Sequence, residues 1–280
     1  MSATVSTTKK TQKAQKKRQE EQEQEQDEKF FYFLFLDLET TGFIKAPKGS
    51  VIDLNKTEHF PHMVQMSWQL QLYDRRAKTF SLVSDKDYII QPTPDYTIPA
   101  ESTKIHGISQ EMALAQGVPL ETALLAFIRD MFRTDRRGKS GNTGEITLVC
   151  HNVEFDVPIL LHYLFNAKNQ LVKYHFQGEL FHYLGGGHFS KKIQCICTML
   201  DTIELCKLPY ANGGRGYKYP KLNELFYTLF HEAPKGQLHN SKFDVECTVA
   251  CFKELYSRAN ILTIRNVNLC GNFEGAWTEE

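Results

Sequence analysis

The sequence predicts an α/β domain on a mixed sheet flanked by helices, preceded by a charged tail. Three observations carry that prediction. FFYFLFL (30–36) is continuously apolar and aromatic, as a strand buried on both faces of a sheet must be. Two further strand-like segments follow before any helical pattern. After them, short apolar strands alternate with amphipathic helices, which excludes an all-β or all-α layering.

The first strand continues through FFYFLFLDL. HMVQMSWQLQLYD (62–74) and TFSLVSDKDYIIQP (79–92) read as its neighbours, the second stopping at Pro92. A proline-bearing loop then runs to STKIHGI (102–108), and a short helix is expected near 109–116. Pro119 opens an amphipathic helix with Leu120, Leu124, Ile128 and Met131 or Phe132 on one face. The polar, Gly-bearing segment 133–144 separates it from a strand at EITLVC (145–150). FDVPILLHYLFNA (155–167) is helical, with Pro158 in its first turn, where a missing N–H is tolerated. QCICTMLDTIEL is a strand leading to a helix. KLNELFYTLF and SKFDVECTVACFKELYS are helices, the latter with Val245, Val249, Phe252 and Tyr256 aligned.

Domain limits follow from composition. Residues 1–29 hold seven basic and six acidic side chains and no large apolar one after Val5. Such a segment cannot offset its ordering entropy and is expected to be a disordered tail. Residues 30–260 form one domain, and 261–280, with Phe273 and Trp277, a C-terminal tail. The 280-residue chain is long enough for one sizeable core. Its 33 basic and 33 acidic residues leave no global charge to announce a partner. Seven cysteines, an odd number set mostly in apolar runs, fit a reduced intracellular protein, cytoplasmic or nuclear. No apolar run approaches the ~20 residues needed to cross a bilayer, so no membrane partner is expected.

Four acids and one histidine stand out: Asp37 and Glu39 in LDLETTG, Asp156 in HNVEFD, and His239 with Asp244 in HNSKFD. Each lies at the edge of an apolar stretch, where an unpaired carboxylate is costly to bury. Asp37 and Glu39, two apart on a strand, share a face, while Leu38 points the other way. Asp156 and Asp244 open helices. Shared cations would make such a cluster tolerable, and all-oxygen ligation selects Mg²⁺ or Mn²⁺ over zinc. Two such ions roughly 3.5–4 Å apart form the clamp for in-line attack on phosphorus, and a histidine with an ordinary pKa of about 6.5 suits the attacking water's proton. His182, His188, Cys195 and Cys197 offer zinc-type atoms, but no CxxC pair supports them. Tyr-rich, basic YANGGRGYKYPK (210–221) could stack bases or be a surface loop.

LDLETTG, HNVEFD and HNSKFD together, in that order, resemble the three motifs of the DnaQ-like 3′–5′ exonucleases, the His-containing (DEDDh) branch of the DEDD superfamily. The resemblance runs from about Phe31 to Tyr256. It implies an RNase H-like fold, with Asp37, Glu39, Asp156 and Asp244 holding two Mg²⁺ (or Mn²⁺) ions and His239 as general base. IHGI resembles a segment that contacts the 3′-terminal nucleotide. His106 is therefore a candidate substrate contact, with Leu38, Thr40, Thr41, Asn152 and Phe155 from the motifs. The implied substrates are single-stranded or frayed 3′ ends of DNA, in proofreading or repair, with a DNA polymerase as a partner in trans. An RNA 3′–5′ exonuclease on the same fold, or a non-catalytic nucleic-acid-binding or polymerase-docking module, are the alternatives.

Overall fold

A computed structural model describes residues 30–45, 53–131, 146–173, 192–258 and 261–268. The expected tail 1–29, the loop 133–144, Phe273 and Trp277 lie outside them, as do His182 and His188.

The apolar run becomes β1 (Phe30–Thr40), and its burial on both sides follows from its place in the sheet. β2 (Met63–Asp74) flanks it antiparallel, with β3 (Thr79–Ile89) antiparallel beyond. On its other side lies β4 (Ile146–Cys150), parallel to it, and then β5 (Lys192–Cys197), parallel to β4. The order is β3-β2-β1-β4-β5-β6, where β6 (Arg265–Asn268) pairs antiparallel with β5. This mixed sheet with helices on its faces is the α/β, RNase H-like architecture that the sequence predicted. β6 comes from the segment assigned to a C-terminal tail, so the sheet reaches past residue 260. Its four residues carry too little periodicity to announce a strand.

The two faces of β1 divide the core. Leu34, Leu36 and Leu38 face a large cluster with Trp68, Phe127 and Leu160. α3 (Leu120–Met131) and α4 (Val153–Phe165) supply much of it. Phe33 and Phe35 face the opposite way, onto α6 (Ser241–Ser257). There Phe35 meets Phe252 edge-on at 5.0 Å, and Phe33 meets the same ring at 4.9 Å. α5 (Leu222–Phe230) packs through Leu225 and Leu229 against Cys247, Cys251 and Leu255 of α6.

Two local departures from the expected elements, at α1 and at the start of α4, have physical causes, while the helix expected near 109–116 is present. IHGI ends a helix, α1 (Ala100–His106), that the reading left as loop: Pro99 precedes it, and Gly107 closes it at φ 79°, which glycine adopts at little cost. α2 (Gln110–Gln116) follows, capped by the Ser109 hydroxyl. α4 begins at Val153, so Pro158 falls in its second turn and leaves the Glu154 carbonyl without its helical donor.

Candidate active site

The sequence places the acids by three different devices. Asp37 and Glu39 sit on consecutive same-side positions of β1, opposite Ser67 and Gln65 of β2. Immediately after Glu39 the register slips, pairing Thr40 with Met63 and skipping Val64. Such a bulge twists the strand end and re-aims its side chains. Asp156 and Asp244 are each the fourth residue of a helix, α4 and α6. Their amides donate to the carbonyls of Asn152 (3.1 Å) and Asn240 (2.9 Å).

These devices converge. Ligand-type atoms of Glu39, His239 and Asp244 all lie within 4.8 Å of one another. Asp37 and Asp156 adjoin them. Burial, then repulsion from Asp156, Asp244 and Glu39, holds the Asp37 carboxyl well above the usual range. Burial, then Glu39 and Asp244, does the same to Asp156, against a stabilising N–H from the Leu38 backbone. Burial and Asp244 push Glu39 up to about 8. Burial pushes Asp244 up to about 6, although the His239 N–H donates to its Oδ2 at 2.9 Å. Four acids in one place with no cationic side chain among these influences is an electrostatic demand for positive charge. Asp244 Oδ1 is buried and accepts no hydrogen bond. This donor set therefore fits a hard divalent cation.

His239 is exposed and held at φ 58°, in the left-handed region. Beside it lies His106, 2% exposed, whose pKa is lowered by burial and then by His239. The Ile108 N–H donates to His106 Nδ1 at 3.1 Å, so the neutral ring carries its proton on Nε2. That Nε2 is buried without a partner.

The remaining predicted contacts divide. The Leu38 side chain belongs to the core, 4% exposed, because strand alternation turns it away from Asp37. What it brings to the site is its N–H. Thr40 Oγ1 donates to the Gly42 carbonyl at 2.7 Å. Thr41 exchanges backbone and side-chain bonds with His62 (2.9 Å each) and accepts from Ser102 Oγ, tying β1 to α1. Asn152 is half-buried and makes no side-chain cap bond. The half-buried Phe155 meets Phe43 edge-on at 6.2 Å. Phe43 is 74% exposed and was missed by sequence reasoning; a large aromatic directly after the turn of LETTG is the signal that could have found it.

His151, which opens the second motif, faces another way. Burial pushes its pKa down to about 4, so it is neutral; Nε2–H donates to the Pro220 carbonyl and Nδ1 accepts from Thr198, both at 3.0 Å. Cys195 and Cys197 are buried with raised thiol pKa values, as core residues rather than ligands would be.

The sequence matches no protein-family model and no curated protein. Solved structures do resemble it. E. coli exonuclease I with a dA16 oligonucleotide aligns at TM-score 0.52 and 19% identity, over 82% of this chain and 41% of that one. The same enzyme with a 5cy-dT13 oligonucleotide gives 0.51 at 19% identity, over the same shares of the two chains. Cell-death related nuclease 4 aligns at 0.49 and 12% identity, over 83% of this chain and 66% of that one. This chain thus spans about two fifths of exonuclease I. The likeness lies in the backbone, and it gives this chain the α/β, RNase H-like fold of exonuclease I.

Proposed function

We propose that the chain is a metal-dependent 3′–5′ exonuclease that removes nucleoside monophosphates from single-stranded or frayed DNA. The observation that carries this reading is the unpartnered Asp244 Oδ1, set beside Glu39 and His239 in a cluster of acids with raised pKa values. A structural role would leave that oxygen bonded and those acids spread apart.

Asp37, Glu39, Asp156 and Asp244 would hold two Mg²⁺ or Mn²⁺ ions. Cations held there would supply Lewis acidity toward the phosphoryl oxygens. His239, exposed and carried on a loop, would take the proton of the attacking water. His106 offers its Nε2–H as a buried donor to the terminal nucleotide. Phe43 and Phe155 present aromatic surface for its base, a sequence-tolerant contact. The oligonucleotides bound to exonuclease I favour single-stranded DNA as the substrate class.

The test is a 5′-labelled single-stranded DNA incubated with the protein in Mg²⁺ or in EDTA, beside an RNA of the same sequence. A metal-dependent ladder shortening from the 3′ end of DNA is expected. Faster shortening of RNA would transfer the activity to RNA. Binding without shortening of either would replace the enzyme by a binding module.

A further inference from the structure

The start of α6 is held by polar side chains of β2 and β3 that lie outside the three motifs. Asp37, Ser67 and Asp87 lie on one rung across β1, β2 and β3, and Gln65 faces Glu39 on the next. The Asp87 carboxylate can only accept, and its Oδ1 takes the Gln65 amide and the Ser67 hydroxyl, each at 2.8 Å. Ser67 has then spent its one proton. Its contact with Ser241 Oγ, at 2.6 Å, must therefore be a bond donated by Ser241. The Gln65 amide group is oriented the same way: its nitrogen faces Asp87, so its carbonyl accepts the Ser241 backbone N–H at 3.2 Å. Ser67 and Ser241 are fully buried and Gln65 nearly so. Next along the helix, Lys242 pairs with Asp85 of β3.

In this bracket Asp87 on β3 thus sets the direction of both serine hydroxyl bonds and the orientation of the Gln65 amide. The bracket ends on the first residue of the helix whose fourth residue is Asp244 and whose preceding loop carries His239. The Ser241 N–H is one of the amides a helix start leaves without an internal partner, and Asn240 serves Phe243 instead.

We propose that Asp87, Gln65, Ser67 and Ser241 are positioning residues: together they lock the first turn of α6 so that Asp244 and His239 meet Glu39 in cation-binding geometry. The proposal rests on the nuclease reading for its consequence in turnover, but its effect on cation affinity does not depend on that reading. Groups that orient metal ligands in this indirect way are worth about 10–100-fold in affinity or activity.

The test uses the full chain with Ser241→Ala, Asp87→Ala and Asp87→Asn. Mn²⁺ affinity is measured by titration calorimetry, kcat and KM on labelled single-stranded DNA, and thermal midpoints in parallel. Ser241→Ala and Asp87→Ala are expected to weaken Mn²⁺ binding about 10–100-fold and lower kcat at fixed Mg²⁺, with KM for DNA little changed. Asp87→Asn, which keeps an oxygen toward Ser67 and Gln65, should recover most of both. Unchanged Mn²⁺ affinity in both alanine variants, with only the thermal midpoint lowered, would overturn the proposal. A wild-type chain that binds Mn²⁺ but leaves DNA intact would remove the nuclease reading, and the affinity comparison would still decide the bracket.

Discussion

The second and third motifs are written in the same pattern, His-Asn-x-x-Phe-Asp, and the molecule puts half of that pattern to the same use twice and the other half to opposite uses. In both, the asparagine sits at the helix cap and the aspartate is the fourth helical residue, its amide bonded to the asparagine carbonyl. Local helix geometry gives Asp156 and Asp244 the same place in their helices. The histidines diverge. His151 is clamped between Thr198 and Pro220 and kept neutral. His239 is exposed in a left-handed turn, touching the chain through its N–H to Asp244. A helix start fixes a residue inside its first turn, whereas a residue ahead of it takes its role from whatever packs there.

Substitutions can break this comparison, and the largest effect belongs to the shared half. Asp156→Asn and Asp244→Asn should each reduce exonuclease activity below detection while leaving the thermal midpoint unchanged or raised, because each relieves repulsion among the acids. Activity surviving in one but not the other would show that the two positions are not equivalent.

The divergent half should separate next. His239→Ala is expected to lower kcat by about 10²–10⁴-fold with the melting curve intact. His151→Ala should do the reverse. Stranding the Thr198 hydroxyl and the Pro220 carbonyl should cost about 1–3 kcal/mol of stability, read by denaturant unfolding, with the turnover of the folded fraction retained.

Acidity sharpens the contrast further. Glu39 binds its proton more tightly folded, at about 8, than unfolded, near 4.5. Its stabilising contribution is complete below pH 4.5 and is lost as pH rises to 8. His151, lowered from 6.5 to about 4, contributes above pH 6.5 and loses that contribution as pH falls through 4. Above pH 6.5 the His151 effect is complete, whereas the Glu39 effect is still changing, and Asp37 and Asp156, raised by the same causes, act in the same direction. The melting temperature in EDTA should therefore fall between pH 6.5 and 8, and Mg²⁺ should flatten that fall; a flat profile in EDTA would contradict it. The smallest effect is expected at the rim, where Phe43→Ala should raise KM for DNA a few-fold with kcat nearly unchanged, an estimate on the order of one lost stacking contact.

What was legible in the sequence is what short-range geometry dictates. Strand alternation put Asp37 and Glu39 on one face, and helix starts announced Asp156 and Asp244. The apolar run of β1 marked the centre of the sheet. The hidden parts depend on distant neighbours. Nothing near Ser241 points to Gln65 or Ser67, because that contact spans more than 170 positions and exists only once β2 is in register with β1. Leu38 sits within the first motif, and the same alternation that aims Asp37 at the site turns the Leu38 side chain into the core. α1 was read as loop because a proline and a glycine bracket only seven residues, too few for periodicity to speak.

The central claim is that the acids of β1 and of the two helix starts form one divalent-cation site. Mn²⁺ binding followed by electron paramagnetic resonance, on the wild-type chain and on Glu39→Gln, Asp156→Asn and Asp244→Asn, tests it most directly. Saturable binding in the wild type, weakened in all three variants although they lie on three separate elements, is the predicted result. Equal Mn²⁺ binding by the wild type and the variants would contradict it.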